Sequence, residues 1–383
     1  MKNFIFLFLF VFFSFYAQAI VPHRVIVPDI PGYKTLKADF HVHTVFSDGS
    51  VWPTTRVDEA VMDGLDVLAI TDHVEQRLLK QSNAGLFHTD RNESYKIASK
   101  AGKGADLLVI SGGEITRAMT PGHFNTLFDT DCEAIAAAGA ACGDDEMKVA
   151  EASLREAKRQ GAFCFWNHPH WERQAPNGPV WYPEHTQLYK EGLMQGIEIF
   201  NSVSGFSDEA YGWALDKNLT LVSGTDCHRP LFVDLDYQNG QLRPVTLVFA
   251  QERTLKSVHE ALLAHRTAVF ANDLVYGRED MMKPLFEAVF QVTKVSMTSK
   301  KLYITVNNQS SIPLHLTKGK GNESISYQRN FVIRPFQEYT IMITQFPSDI
   351  RKKGLDLHFV VSNFFVGVGD GLKYTYHVDP AKL

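Results

Sequence analysis

Short apolar runs alternate with amphipathic segments between residues 36 and 270. The runs are apolar on both faces, which is typical of parallel strands buried on two sides of a sheet. The segment at 53–64 represents the amphipathic type, since Pro53 suits the first turn of a helix and Gly64 suits its end. Seven runs predict strands, at 36–40, 66–71, 107–113, 162–167, 196–201, 219–225 and 245–250. The repeated strand–helix order predicts an α/β barrel or a doubly wound sheet.

The pattern changes after Pro284, where apolar and polar residues alternate with period two in short runs. Leu302, Ile304 and Val306 would share one face of such a strand, and clusters of Gly, Asn, Ser and Pro separate the runs. This alternation predicts a small antiparallel β-sandwich. We place the boundary near residue 287, which gives a barrel domain at 20–286 and a sandwich domain at 287–383.

The N terminus has one lysine, then a phenylalanine-rich apolar run, then an A-x-A motif at Ala17 and Ala19. This order predicts a secretory signal peptide at residues 1–19 that is cleaved after Ala19. The run is short for a membrane span of roughly 20 residues. We therefore expect a periplasmic or secreted protein with no stable membrane anchor after cleavage.

The formal net charge of the 383-residue chain is only −5. A balance of this kind does not predict binding to a nucleic acid polymer or to anionic membranes as the main function. The chain has four cysteines, which is too few for a disulfide scaffold. Export would permit a disulfide between Cys132 and Cys142, and the sequence leaves open whether that bond forms or all four thiols stay free. It also leaves the oligomeric state open.

Side chains of the types that bind metal ions follow five of the predicted strands. The candidates are His41, His43, Asp48, His73, Glu114, His123, His168, Asp226 and His228. The carboxyl ends of strands are where α/β barrels and open sheets place their sites. Imidazole and carboxylate together suit zinc, manganese or iron. Nine candidates exceed the roughly four ligands of one tetrahedral ion, so we expect two or three divalent ions with Glu114 as the bridging carboxylate.

The order of these motifs resembles one family. The series H-V-H-T-x-x-S-D-G, T-D-H, G-G-E, G-H, N-H-P-H and T-D-x-H, over residues 34–270, is similar to that of the PHP (polymerase and histidinol phosphatase) family. The resemblance implies a distorted (β/α)7 barrel with two or three metal ions that hydrolyses phosphomonoesters or phosphodiesters. The stretch at 112–128, together with the signal peptide and the β-rich tail, is similar to the secreted bacterial phosphodiesterases of that family.

The resemblance also implies how the ligands are shared among the ions. The three implied groups are His41, His43, Glu114 and Asp226; Glu114, His123 and His168; and Asp48, His73 and His228. Asp48 takes a place that is His in some members of the family and Asp in others, so the third ion is an expectation that depends on this residue.

We therefore expect a secreted metal-dependent phosphoesterase, a phosphodiesterase in particular, that acts on a small phosphoester. Adjacent ions, roughly 3.5–4 Å apart, would lower the pKa of a bridging water, and the resulting hydroxide would attack phosphorus. Arg117 is a candidate clamp on the phosphate, or else a surface arginine. His170 would protonate the leaving oxygen or orient a ligand, and Asp72 would support His73 or a bound water.

Three alternatives remain open on the sequence alone. One is a phosphomonoesterase similar to histidinol phosphatases. Another is a different metallohydrolase activity, such as amide or lactone hydrolysis on a similar barrel. The third is a metal-binding protein without catalytic activity. Activity on phosphoesters distinguishes among them, whereas metal content does not.

Overall fold

The computed structural model describes residues 24–75 and 90–382. The signal peptide predicted at 1–19 lies outside the described residues, so it stays a prediction. Within the described ranges, no helix has both the length and the apolar character that crossing a membrane requires.

Strands and helices alternate through the first part of the chain. The strands are β1 (Lys34–Asp39), β2 (Val67–Ile70), β3 (Leu108–Ile115), β4 (Phe124–Leu127), β5 (Phe163–Trp166), β6 (Gly196–Asn201), β7 (Gly205–Phe206), β8 (Thr220–Gly224), β9 (Val245–Ala250), β10 (Thr267–Ala271) and β11 (Leu274–Gly277). The helices are α1 (Pro53–Met62), α2 (Glu93–Gly104), α3 (Cys132–Ala140), α4 (Glu146–Arg159), α5 (Pro183–Lys190), α6 (Asp208–Asp216), α7 (Leu231–Asp234), α8 (Leu255–Leu263) and α9 (Glu279–Val289), with a short 3₁₀ turn at Tyr237–Asn239.

Seven of the described strands form a closed and distorted barrel, in the order β1, β2, β3, β4, β5, β6 and β8. The segment after β8 closes the ring onto the end of β1. Asp226 N donates to His41 O at 2.8 Å, and His43 N donates to Cys227 O at 3.1 Å. The predicted distorted barrel is thus confirmed, and its closure joins two segments that carry candidate ligands.

Two strands of this region differ from the predicted pattern. The run at 245–250 forms β9, but it pairs antiparallel with β1 instead of running parallel in the ring. The remaining place in the ring belongs to β4, which is antiparallel to both β3 and β5 and was not predicted. Both strands are buried along their whole length. An apolar run predicts burial but carries no information about strand direction, which explains the difference.

The C-terminal part is a sandwich of two antiparallel sheets, as predicted. Its strands are β12 (Phe290–Met297), β13 (Leu302–Asn308), β14 (Leu314–Lys318), β15 (Asn330–Ile333), β16 (Glu338–Ile343), β17 (Leu355–Gly367) and β18 (Asp370–Val378), with α10 at Ile350–Lys353 and a 3₁₀ turn at Pro380–Lys382. One sheet has the order β12-β13-β16, and the other has β15-β14-β17 with β18 paired to β17. Leu302, Ile304 and Val306 are fully buried, as their alternation predicts.

The sandwich is joined to the barrel by both pairing and packing. Strand β17 pairs in parallel with β11, where Val275 faces Phe364. Helix α9 leads directly into β12, and Phe286 and Phe290 belong to one apolar core with Phe364. The predicted boundary at residue 287 falls inside α9 and stays a prediction.

Candidate metal centre

The structure brings eight of the nine predicted ligands together in three overlapping groups. Within each group the donor atoms all lie within 4.8 Å of one another. The groups are His43, Asp48, His73 and His228; His41, Glu114 and His168; and His41, His43 and Asp226. The ninth residue, His123, lies beside them, with its Nδ1 2.9 Å from Glu114 Oε1. Residues from 41 to 228 therefore converge at one end of the barrel.

This grouping differs in part from the one that the family resemblance implies. The group around Asp48 contains the three expected residues and also His43. The group of Glu114 and His168 contains His41, whereas the family resemblance implies His123 as its third member. His123 Nδ1 is nevertheless within hydrogen-bond distance of Glu114 Oε1. The assignment of each ligand to a particular ion stays a prediction.

The donor atoms at the centre fit divalent ions. His41 Nε2, His43 Nε2 and Glu114 Oε2 are buried and have no hydrogen-bond partner among the described residues. His43 Nε2 nevertheless lies 3.3 Å from Glu114 Oε2 and 3.2 Å from Asp226 Oδ1. Four ligands at about 2.0 Å from a tetrahedral zinc ion are about 3.3 Å apart. Buried polar atoms at this spacing, without hydrogen bonds, are the arrangement that a shared cation stabilises.

The electrostatics of the pocket favour positive charge. Burial would raise the pKa of Glu114, but His73 and His123 lower it well below its ordinary value. Burial would likewise lower the pKa of His41, but Asp226 and Glu198 raise it well above its ordinary value. The Glu114 carboxylate therefore stays ionised at neutral pH, and it attracts cations to the donors that surround it.

Glu198 supports His41 and is a residue that sequence reasoning missed. His41 Nδ1 lies 3.2 Å from Glu198 Oε1, and Glu198 Oε2 accepts hydrogen bonds from His168 N at 2.8 Å and from Asn201 Nδ2 at 3.0 Å. A carboxylate beside Nδ1 holds the proton there and leaves Nε2 free to bind an ion. The sign in the sequence was one acidic residue, Glu198, within the run that forms β6. All six residues of β6 are buried in the structure.

The backbone at the strand ends is closely packed around these ligands. A Cβ at Gly224 would lie 2.3 Å from His41 Cβ and 2.7 Å from Glu198 Oε1, so the approach of β8 to β1 requires glycine. His168 and Asp226 have positive φ angles of 29° and 54°, which non-glycine residues adopt rarely. Such strained positions are concentrated at functional sites.

A fully buried arginine ties two of the ligand-bearing segments together. Arg56, on α1, donates through Nε to His43 O and through Nη2 to Cys227 O, each at 2.8 Å. Its Nη1 also pairs with Glu59 Oε2 at 2.7 Å. A buried charge needs this complete set of partners, and the result is a rigid base beneath the centre.

Asp72 lies beside the centre and supports the loop that carries Asp48. Its Oδ1 accepts from Thr44 N at 2.7 Å and from Ser47 Oγ at 2.6 Å, and its Oδ2 accepts from Thr44 Oγ1 at 2.7 Å. The predicted support of His73 or of a bound water stays a prediction. The hydrogen bonds of Asp72 hold the loop in which Ser47 precedes Asp48 and lies 3.3 Å from His43 Nδ1.

Arg117 lies near the centre, but its charge is paired. Its Nε donates to Thr116 O at 2.6 Å and lies 3.5 Å from Glu75 Oε1 and 3.6 Å from Glu146 Oε2. His170 is exposed in a neighbouring groove, away from the clustered donors. The structure thus brings neither residue into the cluster, and their predicted roles stay predictions.

A cavity of about 480 Å³ opens above the clustered donors. Its walls include Trp171, Arg173 and Val203 in addition to the candidate ligands. Arg173 was not selected from the sequence, because a surface arginine in a loop has no distinguishing pattern. It nevertheless lines this cavity, whereas Arg117 is not among the described lining residues.

None of the four cysteines forms a disulfide with another described residue. Cys132 Sγ donates to Asp129 Oδ2 at 3.1 Å, and Cys142 Sγ donates to Ala138 O at 3.7 Å. The structure therefore has no disulfide between Cys132 and Cys142. Cys227, which stands between two candidate ligands, is buried, and burial raises the pKa of its thiol to about 11. A thiol of this kind is protonated at neutral pH and is a poor nucleophile.

Comparison with known proteins gives a strong similarity over most of the chain. A two-domain protein from Bacteroides vulgatus, described as containing a PHP-like metal-dependent phosphoesterase, is 41% identical in sequence with a TM-score of 0.84. The match covers 93% of this chain and 98% of that one. A family model described as an Ig-like domain matches residues 290–377, within the sandwich. No curated protein matches the chain significantly.

Two further structures are more distant. A metal-dependent phosphoesterase from Bifidobacterium adolescentis is 16% identical, with a TM-score of 0.38, over 50% of this chain and 87% of that one. Histidinol phosphate phosphatase from Lactococcus lactis, in complex with zinc, L-histidinol and phosphate, is 17% identical, with a TM-score of 0.31, over 61% of this chain and 97% of that one. Neither similarity is close enough to carry an argument about this chain.

The similarity to the Bacteroides vulgatus protein extends over both domains at 41% identity. The protein described here has histidine and carboxylate donors at one end of a distorted barrel, close enough together to hold divalent ions. On these grounds the chain belongs to the family of PHP-like metal-dependent phosphoesterases.

Proposed function

We propose that this protein is an exported phosphodiesterase that uses two or three divalent ions, zinc, manganese or iron, held by the clustered histidines and carboxylates. The observation that carries the proposal is the convergence of buried donor atoms without hydrogen-bond partners around Glu114. Preference for a diester is supported by a second cavity that shares Trp171, Arg173 and Val203 with the metal pocket. A diester has a second ester group that needs such space, whereas a monoester has none.

The residues of the chain have distinct tasks in this proposal. Bound divalent ions supply Lewis acidity and a hydroxide nucleophile near neutral pH. Glu114, at the centre of the cluster, has two oxygens that face different histidines, with Oε1 near His123 and Oε2 near His43. Glu198 fixes the ring of His41 from behind. Positioning and charge neutralisation are the main contributions that a protein makes to phosphoryl transfer.

The test compares two aryl esters on the protein loaded with manganese or zinc. We expect bis(4-nitrophenyl) phosphate to be hydrolysed with a higher kcat/KM than 4-nitrophenyl phosphate. Equal or greater activity on the monoester would establish a phosphatase instead. Intact metal content without activity on either ester would refute the proposal and leave a metal-binding protein. Removal of the metals with a chelator, followed by their return, is the control for adventitious hydrolysis.

We also propose that the protein acts in the periplasm or outside the cell. The support is the order of charged, apolar and small residues at 1–19. Expression of the full chain, followed by N-terminal sequencing of the exported product, tests this. A mature N terminus at Ile20 is expected, and a product that keeps Met1 in the cytoplasm contradicts it.

A further inference from the structure

A second cavity, of about 450 Å³, adjoins the metal pocket. Trp171, Arg173 and Val203 line both cavities, and the rest of the second one is formed by the loop at 170–178 together with Ser204. We call this cavity the side groove. Because the two cavities share three residues, a substrate bound at the metal centre can extend one of its groups into the side groove.

Arg173 lies where the two cavities meet, and its charge is unpaired among the described residues. It is exposed and makes no hydrogen bond or ion pair with any of the described residues. Its guanidinium carbon lies 5.5 Å from the centre of the Trp171 ring. The Trp171 ring in turn contacts the rings of His123 and His168, whose centroids lie 5.5 and 5.1 Å from its own. Stacking on Trp171 therefore places Arg173 beside the candidate ligands while its donors remain available.

Two other described arginines near the pocket are already paired. Arg117 is paired with Glu75 and Glu146, and Arg229 is paired with Asp234. A planar guanidinium with free donors matches the geometry of a carboxylate or a phosphate. Divalent ions at the metal centre would already neutralise the phosphoryl group that reacts. A free cation on the side of the groove therefore indicates a second negative group on the substrate.

The remaining polar groups of the side groove suit such a ligand, with one exception. His170 supplies ring nitrogens, and the buried Ser204 hydroxyl has no partner among the described residues. Glu172 is the exception, since its carboxylate also lines the groove and opposes an anion. The two neighbours Glu172 and Arg173 should therefore change the binding of an anion in opposite directions.

We propose that the side groove is a subsite for an anionic group, a carboxylate or a second phosphate, on the ester substituent of the substrate, and that Arg173 recognises it. This inference rests on the proposed phosphodiesterase function and names the class of diester. Hydrolysis at the metal centre would leave that substituent intact, so the subsite determines specificity and takes no part in bond cleavage.

The experiment uses the metal-loaded protein and three 4-nitrophenyl diesters that differ only in the second group: ethyl, 2-carboxyethyl and 2-phosphonoethyl. We expect the anionic esters to exceed the ethyl ester in kcat/KM by about tenfold or more, which is the range for a hydrogen bond to a charged group. The better of the two anionic esters identifies the preferred anion. Arg173→Gln should remove most of this preference through KM, and Glu172→Gln should increase it. The exposed Arg159, replaced by Gln, is a matched control that should leave the preference unchanged.

Calorimetric binding of the products, 2-carboxyethyl phosphate against ethyl phosphate, gives the same comparison without turnover. A wild-type protein that has no preference for the anionic products and esters overturns the inference. An equal loss on all three diesters in Arg173→Gln also overturns it, because Arg173 would then serve the reacting phosphoryl group. Absence of turnover on every diester would refute the proposed function instead. The ratio of the two dissociation constants, for 2-carboxyethyl phosphate and ethyl phosphate, would then show by itself whether the side groove binds an anionic group.

Discussion

The metal pocket has two walls that are held with different firmness. The inner wall consists of the donors at the ends of β1, β3 and β8, namely His41, His43, Glu114 and Asp226, whose side chains are at most 11% exposed. The outer wall consists of Asp48 and His228, which lie on loops and are 31% and 33% exposed. Both walls contribute to the same cluster of donors.

The difference lies in what supports each wall. Inner-wall donors are oriented by buried side chains, since Glu198 contacts His41 and Asn201 Nδ2 donates to Asp226 Oδ2 at 3.2 Å. In the outer wall, Asp72 holds the loop before Asp48 through Thr44 and Ser47, and Ser50 N donates to His228 O at 2.7 Å. These hydrogen bonds fix the loops and leave the Asp48 and His228 side chains about a third exposed. Because supported ligands lose less entropy on binding, we expect ions at the inner wall to bind more tightly than one at the outer wall.

Replacement of Glu114 by Gln should have the largest effect, because this carboxylate lies within 3.3 Å of ring nitrogens of His43, His73 and His123. We expect metal occupancy and kcat to fall together, by more than the roughly 10–100-fold that loss of a supporting residue costs. Elemental analysis and aryl diester hydrolysis measure the two quantities. Unchanged turnover would show that Glu114 is not the bridge. Glu279→Gln, at an exposed position, is the matched control.

Replacement of Glu198 by Gln tests the support of the inner wall. We expect metal affinity or kcat/KM to fall roughly 10–100-fold, since the amide no longer fixes the proton on His41 Nδ1. Competition with a fluorescent chelator measures the affinity. If affinity and activity both stay at the wild-type level, the buried carboxylate has only a structural role in β6.

Replacement of Asp48 by Asn should affect the outer wall alone. We expect the loss of about one metal equivalent, with a smaller fall in activity than for Glu198→Gln, because the inner donors keep their supports. Metal content after dialysis separates the two walls. Retention of every ion in this variant would mean that the outer wall holds none.

Replacement of Arg117 by Gln should have the smallest effect. Its charge is already balanced by Glu75 and Glu146, so we expect kcat/KM to change by less than about fivefold. Steady-state kinetics on the aryl diester measure this. A loss of kcat/KM comparable to that for Glu198→Gln would support the role of phosphate clamp that the sequence suggests for Arg117.

The outcome for the barrel shows what local patterns predict and what they miss. Apolar runs identified β1, β2, β3, β5, β6 and β8 and placed their ends, because burial of a strand is a local property of its side chains. The same patterns misplaced β9 and missed β4, since pairing partner and direction depend on distant segments. Glu198 was missed for a related reason, because its importance comes from the contact between β6 and β1.

The two arginines illustrate the same limit at the site. Arg117 stands close in sequence to Glu114, which made it the natural candidate for contact with phosphate. In the folded chain Glu75 and Glu146 neutralise it, whereas Arg173 remains unpaired at the pocket. Ion pairing between residues far apart in the chain has no signature in a single sequence.

The sequence by itself determined the chemistry of this protein: histidines and carboxylates follow its buried strands, and the carboxyl ends of such strands meet at one face of a barrel. It also determined the change from barrel to sandwich, which depends on local periodicity. Only the tertiary structure decided how the ring closes, through Asp226 and His41, and which donors share a group. Among the described residues, only the tertiary structure decided that Arg173 stays unpaired. All of these properties depend on distances between residues that the chain separates by tens to hundreds of positions.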